Sequence, residues 1–180
     1  MSSCCTLANG ETKANEHSAD GCAVSESQSS AERGQHCPVC GAKGKVVSLE
    51  TVKAMLAVSL ALIQPTTYRF CRTEHCPVVY FAADGRQTFG ERDLRERVHQ
   101  KHAWDDDVFV CYCFRHTPGT IEVELLETGA SSVVEAINAG IQAGQCACEI
   151  RNPQGSCCLG NVRATVKRLT DEIKLTAVGV

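Results

Sequence analysis

The sequence has few aromatic side chains, no excess of positive charge and no long apolar run, and each shortage excludes something. With aromatics at 5% of the chain, a large aromatic core is not available. Eighteen Lys and Arg against 21 Asp and Glu give a net charge of −3, which supplies no drive toward nucleic acid or an anionic membrane surface. The most apolar stretch, Val52–Ile63, is 12 residues long and contains Lys53 and Ser59; a bilayer span needs ~20. No membrane insertion is therefore expected. The start, "MSSCCTLANGETKANE", lacks the basic and apolar regions of a secretory signal. A cytoplasmic protein is expected. No Ser/His/Asp set, paired-carboxylate site or phosphate-cradling glycine loop is visible, so the chain reads as an electron-transfer or metal-carrying protein rather than an enzyme.

Cysteine is what the sequence does have, 13 in 180 residues. The odd number rules out complete internal disulfide pairing, and reduced cysteines in a cytosolic chain point to metal. The expected class is α+β: a disordered, cysteine-containing tail over 1–33, a zinc-stabilised β-rich unit over 34–107, and a three-helix unit over 108–180. The tail is poor in apolar residues and cannot offset its ordering entropy; it carries Cys4, Cys5 and Cys22, whose vicinal thiols are either incidental or a capture point for soft metals. In the middle unit, "SLETVKAML" predicts a helix capped by Ser48, "TTYRF" and "PVVYFA" predict strands, and "DLRERV" predicts a further strand. "DDD" at 105–107 reads as a solvated linker. Beyond it, Thr117-Pro118 opens one helix that Gly129 stops, and Ser131 or Ser132 opens a second with Val133, Ile137 and Ile141 as its apolar stripe. Gly140 and Gly144 are read as stopping that second helix. The third helix carries Val162, Val166, Leu169 and Ile173 on one face.

The cysteines sort into two sets. "CPVCG" (Cys37, Cys40) and "CRTEHC" (Cys71, Cys76) give a tight knuckle and a partner pair between two strands, a four-sulfur set suited to Zn²⁺ in a structural role. His75 is an alternative donor there. The second set begins with Cys111 and Cys113 in "VCYCFRHT", with Phe114 expected over the site and His116 a capping-region residue. It continues in "QCACEIRNPQGSCCLGNV", with Cys146, Cys148, Cys157 and Cys158. An antiparallel helix pair brings these two loops together, and four thiolates from two loops suit a [2Fe–2S] cluster. Cys158 gains from its place at a helix start, where the dipole favours negative charge.

This order, C-x-C, two helices, then cysteines before "L-x-x-V" and a helix, resembles the bacterioferritin-associated ferredoxin type of [2Fe–2S] domain. Together with the upstream "CPVCG…CRTEHCPVVYF" unit, it is more similar to the N-terminal domain of CopZ-type copper chaperones, over roughly 36–175. The resemblance implies one zinc and one [2Fe–2S] cluster. It places the cluster on Cys111, Cys113, one of Cys146/Cys148 and one of Cys157/Cys158, with Cys148 and Cys158 preferred. Cys146 and Cys157 are then buried spectators or a second redox-active or metal-accepting pair. The chain departs from the pattern in spreading four cysteines where the ferredoxin family has C-x2-C, and in showing no M-x-C-x-x-C copper loop. The expected function is metallochaperone or electron-transfer work in copper handling, including reduction of Cu(II) to Cu(I), with copper or another soft metal ion and a redox or metal-transfer protein as partners. The alternatives are a cluster-dependent adaptor docking on a larger enzyme and, least favoured, a thiol oxidoreductase.

Overall fold

The computed structural model describes residues 34–178; the expectations for residues 1–33, including Cys4, Cys5 and Cys22, lie outside them. Four short strands, β1 (Lys45–Val47), β2 (Tyr68–Phe70), β3 (Val78–Ala82) and β4 (Thr88–Gly90), form an antiparallel sheet in sequence order. Helix α1 (Leu49–Met55) follows β1, and Ser48 caps it by accepting from the Thr51 amide at 3.1 Å. The second half is helical: α2 (Pro118–Thr128), α3 (Val133–Gln142), the single turn α4 (Cys148–Arg151) and the long α5 (Leu159–Val178). Among the described residues, no helix is long and apolar enough to cross a membrane.

Strand β3 is buried along its whole length. Tyr80 and Ala82 join Val52, Leu56, Tyr68, Phe70 and Val98 in one apolar cluster, while Val78 and Phe81 face Cys37, Cys71 and Cys76. Phe81 reaches that position because residue 44 is glycine: a Cβ there would lie 2.4 Å from the ring. A second cluster forms where α2 and α3 pack on α5, with Ile121, Leu125, Val133, Ile137, Val162 and Leu169 buried. Val166 and Ile173 extend the α5 stripe as expected.

Three expectations change. The "DLRERV" segment is not a strand: Glu91–Asp93 and His99–Lys101 are 3-10 turns, and Leu94 makes only an isolated bridge to Leu56. The carboxylates explain it, because Asp93 accepts the Gly90 amide at 2.8 Å and Glu91 the Val98 amide at 2.7 Å. A strand over 93–98 would need the Val98 amide for its ladder, and the Asp93 carboxylate instead closes the turn that follows β4. The acidic run at 105–107 faces solvent but is tied down, with Asp105 paired to Arg97 at 2.7 Å and the Asp106 carbonyl accepting the Gly119 amide.

Third, the buried stripe of α3 turns at Gly140, not Ile141, which is 37% exposed. Phe114 occupies the space a side chain at 140 would need, its Cζ 2.3 Å from a built Cβ. Only Gly144, in the left-handed region at φ 69°, belongs to the helix stop. Gly140→Val is therefore expected to destabilise the protein by about 1–3 kcal/mol, and Ile141→Ala to change stability by no more than about 0.5 kcal/mol. Denaturant midpoints of the two variants against the parent check this.

Candidate metal centres

The "CPVCG" knuckle is a backbone device. The Cys37 amide donates to the Ala42 carbonyl at 2.8 Å and the Gly41 amide to the Cys37 carbonyl at 2.9 Å. The turn closes because Gly41 sits at φ 70°, a conformation that glycine adopts without penalty. The amides of Cys40 and Val39 point at the Cys37 sulfur, that of Ala42 at Cys40, and that of Val78 at Cys76. Strands β2 and β3 deliver the other pair from their facing ends, with the Cys71 amide bonded to the Val79 carbonyl.

The four sulfurs converge, all within 4.8 Å of one another. Cys37 and Cys76 are 3.7 Å apart, Cys40 and Cys71 3.5 Å. A tetrahedron with Zn–S bonds of about 2.3 Å has edges of about 3.8 Å, so the set already has the dimensions zinc requires. His75, the alternative donor, is exposed and outside the group. Burial pushes the Cys37 thiol up and the Cys76 thiol to about 12. Against the opposing effect of burial, the Thr73 hydroxyl, the Ala42 amide and the neighbouring thiols hold Cys40 down at about 6. Cys40, on the solvent side, is thus the thiolate an incoming cation meets first.

Sequence reasoning missed one residue of this centre. Lys101 is only 9% exposed, and its ammonium donates to the Thr73 carbonyl at 2.6 Å, in the loop between Cys71 and Cys76. Lys101 thus fixes the loop that carries Cys71 and Cys76 through a bond largely shielded from solvent. A lone lysine 25 residues downstream of Cys76 gives no such signal in the sequence.

The second set is built on a loop and a turn. "VCYCFRHT" closes on itself: the Val110 and Cys111 amides donate to the His116 carbonyl and the His116 amide to the Cys111 carbonyl. Arg115 takes a left-handed φ of 59° to make the turn, with its guanidinium 4.3 Å from the centre of the Phe109 ring. Tyr112 pins the loop to the first half, accepting the His99 amide at 2.9 Å and donating to the Arg97 carbonyl at 2.8 Å. Opposite, Ala147 donates to the Cys113 sulfur at 3.4 Å.

Five thiols meet there. Cys113, Cys146 and Cys148 lie within 4.8 Å of one another, at 3.4 Å for Cys146–Cys148, 3.7 Å for Cys113–Cys148 and 3.9 Å for Cys113–Cys146. Cys158, just ahead of α5, hydrogen-bonds to both Cys111 and Cys148. The bond from Cys158 lowers Cys111 to about 7 and Cys148 to about 5, and Cys158 itself keeps its proton far above the usual thiol range. The expected dipole effect on Cys158 is thus outweighed by its two sulfur neighbours. Burial raises Cys113 to about 12. Cys157 is exposed and joins neither group, whereas Cys146 is half-buried inside the second. His116 contributes its backbone and is absent from the group, and Phe114 packs at its edge on α3.

Two all-sulfur donor sets, on a small sheet and on the loops of a helical unit, define an α+β metal-binding protein. Residues 34–95 match the CopZ zinc binding domain family. The chain is 32% identical over 149 residues to the copper chaperone CopZ of Archaeoglobus fulgidus, covering 77% of this chain and 69% of that protein. It is also similar to the X-ray structure of the N-terminal domain of that CopZ, with a TM-score of 0.57 and 32% identity over 68% of this chain and 91% of the other. The chain belongs to the CopZ family of copper chaperones, and its first half is a zinc-binding domain.

Lys101→Met keeps most of the side-chain volume and removes the ammonium that holds the Thr73 carbonyl in the loop between Cys71 and Cys76. Zinc transfer to a chromophoric chelator is expected to become about 10- to 100-fold more favourable, the range for outer-shell partners. Lys53→Met, remote from the sulfurs on α1, serves as the control and is expected to leave transfer unchanged.

Proposed function

We propose that this protein handles copper as a zinc-organised iron–sulfur protein of the cytoplasm. Cys37, Cys40, Cys71 and Cys76 hold the structural zinc in a unit over 34–107. Cys111, Cys113, Cys148 and Cys158 hold a [2Fe–2S] cluster in a unit over 108–180. The observation that carries the reading is the meeting of these last four thiols, three of them buried, inside an apolar cluster. The donor set fits, since such a cluster takes four thiolates and each iron takes two. When bound, the cluster supplies one-electron chemistry, which suits reduction of Cu(II) to the Cu(I) that thiolates prefer.

The chain's own residues set the conditions for that chemistry. Val110, Ile121 and Val162, all fully buried, keep water from the Cys111 and Cys158 side. The Ala147 amide aimed at Cys113 stabilises negative charge on sulfur. Cys113 stays half-exposed and gives a short path for an electron to a metal ion arriving from solvent. The first half anchors both loops, one through the bonds of Tyr112 to Arg97 and His99 and the other through Tyr80 of β3. A redox protein supplies the electron, and a metal-transfer protein accepts the Cu(I).

Anaerobic purification with metal and sulfide quantification tests the reading. About two irons, two sulfides and one zinc per chain are expected, with one Cu(I) formed per reduced cluster when Cu(II) is added. Cys111→Ser and Cys158→Ser are expected to abolish the visible absorption while leaving zinc bound. Zinc in both sites, with no iron, would overturn the redox half.

A further inference from the structure

The second set contains one thiol more than a [2Fe–2S] cluster uses. We propose that Cys146, together with Cys113 and Cys148, forms a three-thiolate site for a single soft d¹⁰ cation, Cu(I), which excludes the cluster while it is occupied. The inference shares two residues with the site proposed above, but does not require the cluster to form.

The geometry argues for three-fold coordination. The sulfur separations of 3.4, 3.7 and 3.9 Å make a nearly equilateral triangle. A trigonal ion with metal–sulfur bonds of about 2.3 Å, the length for a thiolate on a first-row d¹⁰ ion, has edges of about 4.0 Å, so only a small expansion is needed. The donor chemistry selects the ion, since three thiolates without nitrogen or oxygen favour Cu(I) over harder cations. Cys111 and Cys158 lie on the buried side and are hydrogen-bonded to each other. Cys113 and Cys146 are half-buried, and the chain from 141 to 145 that leads into Cys146 is exposed. An ion from solvent therefore reaches the Cys113–Cys146 edge before the inner pair. The Ala147 amide, placed between Cys146 and Cys148 in the chain, already donates to Cys113.

Capture changes no oxidation state. One Cu(I) and three thiolates give a complex of net charge −2, and the protons of whichever thiols were neutral go to solvent. Cys157 takes no part. The five sulfurs thus offer alternatives: four for a two-iron centre, or three for one copper ion.

The test uses full-length, zinc-loaded, iron-free protein in which Cys4, Cys5 and Cys22 are replaced by Ser in every sample, titrated anaerobically with Cu(I) against a chromophoric Cu(I) chelator. One Cu(I) is expected to bind, with a three-sulfur shell by X-ray absorption. Cys146→Ser is expected to weaken it by about 100-fold or more, at least the cost that outer-shell changes reach, and Cys157→Ser by less than about 3-fold, within the scatter of remote substitutions. Reconstituted with iron and sulfide instead, Cys146→Ser is expected to keep the parent's visible spectrum and iron content. Equal Cu(I) affinity in Cys146→Ser and parent would overturn the proposal. Loss of iron uptake in Cys146→Ser would overturn it too, by making Cys146 a cluster ligand. If the parent takes up no iron and sulfide, the cluster reading fails alone and the copper titration still decides this one.

Discussion

Sulfurs held 3.4 to 3.9 Å apart can share a proton in a hydrogen bond, but once ionised they repel one another, and a cation between them turns the contact into attraction. Two unit charges at ~4 Å cost ~4 kcal/mol at the effective dielectric of a protein surface. Nine of the described cysteines fall into two groups of neighbouring sulfurs, so the molecule is built around donor sets that suit a metal. The pattern of thiol acidities reflects this crowding: within each group some sulfurs are pushed up by burial while others are pulled down by hydrogen bonds from their neighbours. The first group closes one end of a sheet of three- and five-residue strands, beside the apolar cluster that β2 and β3 share with α1. Structural zinc sites contribute folding free energy on the order of 10 kcal/mol or more, so the sheet and the sulfur group depend on each other.

The second constraint is how the two halves meet. The segment that carries Cys148 toward Cys158 lies against the sheet and α1. Tyr80, fully buried, donates to the Pro153 carbonyl at 2.6 Å, and Thr51 donates to the Glu149 carbonyl at 2.5 Å. Lys45 reaches Ser156, and Gln100 reaches Gln154 at 2.6 Å. Gly155, at φ 61°, sits so close to Thr51 that a side chain there would meet its hydroxyl at 2.9 Å. The loop separating the cysteines of the second site is therefore fixed by the domain that carries the first. Tyr112 makes the same connection from the other loop. The zinc-binding domain thus sets the spacing of the sulfurs that the proposed redox chemistry uses.

Membership of the CopZ family agrees with two features legible in the cysteine spacing, the knuckle and the pair between strands, which lie within the matched zinc-binding domain. Local signals carried much of the fold as well. Ser48, Thr117-Pro118 and Gly129 mark helix ends by backbone chemistry that acts over three or four residues, and the α5 stripe is a simple periodicity. Strand β4 was missed although Asp84-Gly85, with Gly85 at φ 73°, is a turn signal of the kind that joins hairpin strands. "DLRERV" was misread because alternation says nothing about which carboxylate takes which amide. The single turn α4 is too short for any periodicity to reveal.

The sequence by itself determined the donor chemistry, the pairing of Cys37 and Cys40 in a knuckle, and the helices that bring the later cysteines around. These follow from residue type and from contacts near in the chain. Only the tertiary structure decided that Cys146 lies among the thiols and Cys157 outside, that Gly140 makes room for Phe114, and that Lys101 holds the loop between Cys71 and Cys76. Each of these depends on how segments 26 to 35 residues apart come to rest against one another, and that is fixed by packing and buried hydrogen bonds, which spacing does not encode.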